Sequence, residues 1–330
     1  HSMMLAVDPD ETFRGATSND GGTRFVRSCP RTPEQARSDP TFANGTILSA
    51  DFGPSPQRPF YSYFSVDLTS AYSRKITSYV RTFCFLNLDN PENPAVLIVL
   101  DNMTTAKPEF TKYWQVNTLQ PPQPTADGVI LTNQAFGRTG KVDVRMFRPA
   151  PADRSMQILS GKDAYSVSGQ YFAPPKPDRP EANGHRVMFT PKQKRENDVF
   201  LTVLSMREEQ AEWLPVDVTE SPEAFVLALA DRVVVLSKTG ELLDRPIDVT
   251  VRAEGKTQLL LAGLAPGPWH LSGSEGNLAL NAQVEPKRNT ALFVVPAGSY
   301  TMRPGVLPGA SAFQPPPEFM PAPSEAIEAE

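Results

Sequence analysis

The sequence is poor in the residue types from which metal centres and nucleophilic sites are usually built. Its 330 residues contain three histidines and only two cysteines, Cys29 and Cys84. Neither cysteine belongs to a Cys-x-x-Cys motif, and one pair is no disulfide framework. Cys84 lies in the apolar segment 82–86, which predicts a buried core residue, whereas Cys29 precedes Pro30, which is typical of a loop.

Long apolar runs and excess positive charge are also absent. No run approaches the roughly 20 apolar residues that span a bilayer, so we expect neither a membrane anchor in this sequence nor a membrane partner. The net charge is −5 and the isoelectric point is near 5.4. This balance argues against nucleic acid as the main partner, because phosphate binding needs a basic surface. It does not exclude an acidic polysaccharide, which needs only a locally basic cleft.

What the sequence does contain is proline and short β-forming segments. It has 34 prolines against 20 glycines, scattered between apolar runs, which disfavours helices. Segments rich in Val, Ile, Phe, Thr and Tyr, bounded by turn residues, predict strands. The candidate strands are 46–52, 61–68, 76–88, 95–102, 113–119, 129–132, 142–147, 166–171, 186–190, 199–206, 224–229, 232–237, 247–253, 257–262, 267–271, 278–284 and 290–296.

Helix signals are few. Residues 69–73 have room for one turn, and 221–230 begins with an N-cap serine, although the β-branched run after it favours a hairpin with its bend at 230–232. We therefore predict an all-β fold, a layered antiparallel β-sandwich of the supersandwich kind with a smaller C-terminal sheet. The predicted domains are a large sandwich at 1–206, a smaller sheet domain at 207–303, and a disordered tail rich in Pro, Ala and Glu at 304–330.

The first 24 residues read as the middle of a protein. The run His-Ser-Met-Met-Leu-Ala-Val-Asp-Pro-Asp-Glu at 1–11 predicts a buried strand that ends on an Asp-Pro turn, and Asn-Asp-Gly-Gly-Thr-Arg follows at 19–24. A buried strand needs a neighbour. We expect part of its surroundings to be encoded upstream.

Four phrases in the sequence together resemble a known family. They are 1–11 with 19–24, the run Tyr-Phe-Ser-Val-Asp-Leu-Thr-Ser-Ala-Tyr at 63–72, the segment 81–86 leading into 96–101, and 140–149 leading into 198–204. In this order and spacing they are similar to the C-terminal β-sheet region of heparinase II/III-like polysaccharide lyases. The resemblance covers roughly residues 1–300.

The resemblance implies a chain that forms the β-sheet portion of a lyase acting on uronate-containing acidic polysaccharide by β-elimination. In this family the catalytic residues lie in an N-terminal helical toroid and at the start of the sheet domain. We find no matching catalytic motif in this sequence, so we expect a partner in the missing helical domain of the same protein and no activity alone. The resemblance also implies a periplasmic or secreted protein. The alternative is a non-catalytic carbohydrate-binding or structural β-sandwich module.

His1 is the one site residue that the resemblance offers. In relatives with a zinc ion in the sheet domain, the histidine that opens this strand is similar to one of the ligands. Zinc needs about four ligands, so we expect zinc only in the full-length parent and not in this chain alone. The competing interpretation is that His1-Ser2-Met3 remains from a cleaved expression tag.

The other histidines and one charged pair fit structural roles better. His185 follows an Asn-Gly turn and opens a strand, which favours a solvent-facing side chain. His270 alternates with Trp269, which favours a partly exposed strand position. Arg81 and Asp101 lie at the start and end of apolar strands, so a buried structural pair or a turn-capping role is favoured over catalysis.

Aromatic and turn residues admit two interpretations each. The rings of residues 61, 63, 64, 113 and 114 suit either a sugar-stacking platform or core packing. Asn117 stands where the family often carries histidine, which argues against a site there. Asp20, which two glycines follow, is a weak candidate for a calcium ligand and is typical of a tight turn.

Overall fold

The structure is a computed structural model that describes residues 3–12, 20–24, 30–55, 59–167, 169–174, 176–274, 276 and 278–314. The chain divides into two compact units. The first comprises His1–Ile47, Val66–Thr82 and Pro91–Trp213, and the second comprises Leu48–Ser65, Phe83–Asn90 and Leu214–Glu330. The domain boundary predicted at 206/207 lies near the last junction, and the predicted domain limits stay a prediction.

Short strands form most of the described chain. In chain order they are β1 (Met4–Val7), β2 (Thr46–Pro54), β3 (Pro59–Asp67), β4 (Ile76–Asn87), β5 (Ala95–Thr105), β6 (Thr111–Thr118), β7 (Gln123–Pro124), β8 (Gly128–Ala135), β9 (Arg138–Arg148), β10 (Arg154–Ser160), β11 (Ser166–Val167), β12 (Gln170–Tyr171), β13 (His185–Pro191), β14 (Asn197–Glu208), β15 (Asp217–Glu220), β16 (Ala224–Leu229), β17 (Arg232–Ser237), β18 (Ile247–Val251), β19 (Thr257–Ala262), β20 (Gly267–Gly273), β21 (Ala279–Val284), β22 (Thr290–Val295), β23 (Gly298–Pro304) and β24 (Ser311–Ala312). The helices are α1 (Pro33–Ser38) and the 3₁₀ turns Pro40–Phe42, Thr69–Ala71, Pro151–Asp153, Gly161–Tyr165 and Pro180–Asn183.

The first unit is a β-sandwich. One layer is an antiparallel sheet in the order β1-β6-β13-β10, and the other contains strands in the order β4-β5-β14-β9-β8-β7. Alternate residues of both layers meet in one apolar core, in which Trp114 and Phe189 pack edge to face at 5.9 Å between ring centroids. Because the side chains of a strand alternate, the intervening residues of β6 and β13 lie on the outer face of the four-stranded sheet.

The second unit contains another sandwich, made of two five-stranded sheets in the orders β15-β16-β17-β19-β22 and β18-β23-β20-β21-β24. In β18 Ile247, Val249 and Val251 are buried while the residues between them are exposed, as expected for a strand with one wet face. Strand β19 is buried along its whole length. Trp269 is 1 % exposed at the centre of this core, and burying a side chain of this size contributes about 3 kcal/mol.

The all-β prediction is confirmed, and so are the single turn at Thr69–Ala71 and the hairpin that joins β16 to β17. Strands β7, β10, β15, β23 and β24 and helix α1 are absent from the sequence-based prediction. The single strand predicted at 166–171 is wrong, because β11 and β12 are two short strands that pair with each other. The described chain also extends beyond the predicted start of the tail, since β24 pairs in parallel with β21. Residues 315–330 and Cys29 lie outside the described residues. Cys84 is fully buried, as predicted.

No helix in the described ranges has both the length and the apolar character needed to cross a bilayer.

Candidate functional site

A cleft of about 650 Å³ opens on the outer face of the four-stranded sheet in the first unit. Its polar lining comes from the ends of β6 and β13, from the Gly161–Tyr165 turn and from the loop after β1. These polar residues are Asp20, Gln115, Asn117, Thr118, Tyr165, His185 and Arg186. The apolar side chains of Met3, Leu5, Leu119, Val167 and Phe172 also line the cleft. A surface that joins apolar patches to hydrogen-bonding groups is typical of a ligand site.

Strand alternation places the polar groups on this face. In β6, Trp114 and Val116 enter the core, so Gln115 and Asn117 point the other way. In β13 the register pairs Arg186 with Asn117, directly across the sheet. The two strands therefore bring a guanidinium and two amides to one end of the cleft.

Arg186 supplies the positive charge of the cleft lining. It is 6 % exposed, one of its Nη atoms donates to the backbone oxygen of Ser166, and its Nε has no hydrogen-bond partner. Among the described residues it forms no ion pair with a carboxylate. Burial lowers the pKa of Arg186 below its usual value, yet a guanidinium starts so far above neutrality that it stays charged at pH 7. A buried cation without an anion is a site at which an anionic ligand gains affinity.

His185 lies beside Arg186 at the start of β13 and is half-buried. Its Nδ1 lies 2.7 Å from the hydroxyl oxygen of Ser160 in the neighbouring strand. This contact fixes the ring and leaves Nε2 as the nitrogen for further chemistry. The predicted strand start at His185 agrees with the structure, but its side chain lines the cleft and is not simply solvent-facing.

Asp20 sits in a tight turn, as the sequence suggested. Its Oδ1 accepts from the backbone N–H of Gly22 at 2.8 Å, and Gly21 has a φ of 75° that favours glycine. The Gly21 carbonyl accepts from the N–H of Ala6 at 2.8 Å and holds the turn against β1. Across the described ranges no group of three or more His, Cys, Asp or Glu side chains has the arrangement of a metal site.

The other candidate site residues from the sequence lie outside the cleft or outside the described residues. His1 lies outside the described residues, so its assignment as a metal ligand stays a prediction. His270 is half-buried with Nδ1 3.1 Å from the Gly305 oxygen, as expected for a partly exposed strand residue. Arg81 and Asp101 form the expected buried pair, away from the cleft lining.

The aromatic residues proposed as a sugar platform mostly belong to the core. Tyr61, Tyr63 and Trp114 are at most 6 % exposed. Tyr113 is half-buried and packs on the apolar part of the outer face. Phe64 packs edge to face against Phe52 at 5.2 Å. Core packing is therefore the correct interpretation for the three buried rings.

Sequence reasoning missed Arg186 and Gln115, and it argued against a site at Asn117, which the structure places in the cleft lining. A signal was present for Arg186, because a charged residue stands at the head of the apolar run Val-Met-Phe at 187–189. Gln115 carried a weaker form of the same signal between Trp114 and Val116. The register between β6 and β13 brings these side chains together, and this register cannot be read from the sequence alone.

One segment of the second unit is similar to a known protein family. Residues 218–304 match the family described as heparinase II C-terminal domain. No curated protein sequence matches the chain.

Among solved structures, the heparan sulfate lyase HepC from Pedobacter heparinus is similar over 59 % of this chain and 28 % of its own, with 12 % identity and a TM-score of 0.39. A heparinase III is similar over 58 % of this chain and 27 % of its own, with 14 % identity and a TM-score of 0.37. The chain thus spans less than a third of the length of these structures.

Proposed function

We propose that this chain, whose residues 218–304 match the family described as heparinase II C-terminal domain, is the β-sheet portion of a lyase that cleaves uronate-containing acidic polysaccharide by β-elimination. The family match carries the relation to polysaccharide lyases. The cleft around Arg186 supports an anionic sugar as the ligand, because its buried guanidinium has no carboxylate partner within the described chain.

β-Elimination on a uronate makes three demands on a protein. The C5 carboxylate must be neutralised, the C5 proton removed, and the glycosidic oxygen protonated as the bond to C4 breaks. Arg186 suits the first demand, since a guanidinium binds a carboxylate through two parallel N–H bonds. Gln115 and Asn117, on the same wall, suit hydroxyl groups of the sugar ring.

We assign the two proton transfers to residues of the parent protein that precede this chain. His185 and Tyr165 line the cleft, but His185 already has one ring nitrogen engaged by Ser160. In this proposal the chain forms one wall of the substrate cleft and is inactive alone. His1 would supply one of the four zinc ligands, the remainder coming from upstream, and the parent protein would work in the periplasm or outside the cell.

The alternative function is a non-catalytic carbohydrate-binding module. The mixed lining of the cleft favours it, because Phe172 and Tyr165 offer ring faces next to amide side chains. Such a module binds polysaccharide with Arg186 and never produces an unsaturated sugar, whichever segment is joined to it.

The test follows the ultraviolet absorbance of unsaturated uronate during incubation with heparan sulfate and with alginate. The 330-residue chain is compared with the same chain joined to the protein segment encoded upstream of it. We expect product only from the joined protein, and a loss of roughly 100-fold in turnover for Arg186→Gln, the usual cost of removing one charge-stabilising donor.

Turnover by the 330-residue chain alone would overturn the assignment of the reacting groups to the upstream segment. Binding without any unsaturated product from the joined protein would replace the lyase by the binding module.

A further inference from the structure

A second pocket of the first unit, of about 300 Å³, is rich in positive charge. Its lining holds four cationic side chains and a single carboxylate: Lys112, Lys192, Lys194, Arg195 and Asp198. Three of the cations belong to one exposed segment, Lys-Gln-Lys-Arg at 192–195, which we call the basic loop. The whole chain carries a net charge of −5, so this excess of positive charge is local.

The basic loop is held from below by a buried ammonium group. Lys112 is 2 % exposed, and its Nζ lies 2.9 Å from Asp198 Oδ2. The same ammonium donates to the backbone oxygens of Arg195 and Glu196, at 2.5 and 3.1 Å. All three donors of Lys112 are therefore used inside the protein, so this residue fixes the backbone of the loop and leaves ligand binding to the other cations.

The start of the loop is held as well. The backbone N–H of Lys192 donates to the Asp153 oxygen at 2.8 Å, and its Nζ donates to the Ala152 oxygen at 2.8 Å. Lys194 and Arg195 belong to this fixed backbone, and within the described ranges neither forms an ion pair, although one Nη atom of Arg195 donates to the side-chain oxygen of Gln193. The hydroxyl oxygen of Thr190, in the pocket wall, is buried without a hydrogen-bond partner. A rigid frame whose exposed cations form no ion pair lowers the ordering cost of binding an anion.

The position of the pocket relates it to the cleft. Thr111, Ser155 and Thr190 line it and lie on the outer face of the four-stranded sheet, the face that also carries the cleft. The cleft lies at the Arg186 end of β13, and the basic loop follows the opposite end. Six residues of extended chain separate Arg186 from Lys192, or about 20 Å. A polymer lying along β6 and β13 would reach both places.

We propose that the basic loop is a second binding site for an acidic polysaccharide, which takes the sulfate or carboxylate groups of the chain about 20 Å away from the cleft. The class of polymer rests on the proposed function, whereas the charge and the frame of the loop do not. The pocket lining offers no exposed aromatic ring for stacking bases, which favours a polysaccharide over a nucleic acid.

The test uses the 330-residue chain and immobilised heparan sulfate, with affinity measured across a salt series. The triple variant Lys192→Gln, Lys194→Gln, Arg195→Gln should bind roughly 10-fold more weakly, given the usual strength of exposed ion pairs. The slope of log affinity against log salt should fall by about 2, because fewer counterions are released. The double variant Lys194→Gln, Arg195→Gln keeps the Lys192 contact to Ala152 and should show most of the loss with an unchanged unfolding midpoint.

A matched control removes the same charge from the second unit. The variant Arg252→Gln, Lys256→Gln, Lys287→Gln changes two lysines and one arginine, all exposed, and should bind within about twofold of the unmodified chain because surface charge acts locally at 0.15 M salt. Equal losses in the control and the loop variant would overturn the proposal. Equal or tighter binding of duplex DNA through the same loop would overturn it in favour of nucleic acid.

Measuring unsaturated uronate formed by the joined protein, alongside binding, distinguishes a failure of this inference from a failure of the lyase proposal. Loop-dependent binding without unsaturated product from the joined protein would support the second site and overturn the lyase function. Product formation with unchanged binding by the loop variant would overturn the second site alone.

Discussion

The guanidinium of Arg81 and the carboxylate of Asp101 form an ion pair inside the first unit, with Nη2 and Oδ2 3.0 Å apart. Asp101 is fully buried and also accepts from the hydroxyl of Tyr79 at 2.8 Å. Burial by itself lowers the pKa of Arg81, but the Asp101 carboxylate together with the neighbouring Tyr79 and Tyr72 hydroxyls raises the pKa above its usual value. The pair links strand β4 to strand β5.

Breaking this pair should destabilise the chain strongly. Asp101→Ala leaves the Arg81 guanidinium buried without its anion, which typically costs about 3–5 kcal/mol. The free energy of unfolding, measured by urea titration, should fall by that amount. Glu34→Ala is the matched control, since its pair with Arg37 is 74 % and 72 % exposed and should contribute less than about 0.5 kcal/mol. Similar losses in both variants would contradict a special role for the buried pair.

Replacing Arg186, unlike replacing Asp101, should leave the stability of the chain intact and weaken its binding to polysaccharide. Arg186→Met removes a buried charge that has no anionic partner in the described chain, so the free energy of unfolding should stay constant or rise by about 1 kcal/mol. Affinity for heparan sulfate, measured by the same immobilised-polymer assay, should fall at least roughly tenfold because a charge-assisted bidentate contact is lost. Arg37→Met, on the exposed helix α1, should change neither quantity. A variant that loses stability and retains affinity would show that Arg186 is structural.

The core of the second unit should depend on Trp269. Trp269→Ala opens a cavity among the two five-stranded sheets and frees the Ala265 oxygen, which accepts from Nε1 at 2.9 Å. We expect a loss of about 3–5 kcal/mol in the free energy of unfolding. Trp213, which is 57 % exposed, is the control, and Trp213→Ala should cost less than about 1 kcal/mol. A small effect at Trp269 would contradict the packing described for this unit.

Cys84 should resist modification in the native chain. Complete burial raises the pKa of its thiol to about 12, and the thiolate is the reactive form. In a Cys29→Ser background, a thiol reagent at pH 8 should label almost no Cys84 until denaturant is added. Rapid labelling of the native protein would contradict the burial of this residue.

The same pKa shift predicts a loss of stability at high pH. In the unfolded chain the Cys84 thiol ionises near pH 9, whereas in the folded chain it keeps its proton up to about pH 12. The contribution of this thiol to the free energy of unfolding is therefore complete below pH 9 and is lost as the pH rises towards 12. The free energy of unfolding should therefore decline more between pH 9 and 12 than in Cys84→Ala. Identical pH profiles for the two proteins would argue against the shift.

Local pattern was sufficient for much of the fold. The bend between β16 and β17 was predicted from Ala230 and Asp231, and Ala230 has the positive φ of such a turn, at 46°. Strand β10 was missed because Arg154–Ser160 alternates poorly and most of it is only half-buried. Helix α1 was missed although its N-cap Thr32 accepts from the Gln35 N–H at 3.1 Å, because its six residues, Pro-Glu-Gln-Ala-Arg-Ser, give no apolar periodicity.

The sequence by itself determined the fold class and the burial of Cys84, and it favoured a structural role for Arg81 and Asp101. Each of these follows from hydrophobic pattern within one or two strands. Only the tertiary structure decided that Arg186, Gln115 and Asn117 share a cleft and that the basic loop shares their sheet face. These residues lie up to 80 positions apart from each other along the chain. Strand order and register bring them together through backbone hydrogen bonds that every residue type except proline makes alike.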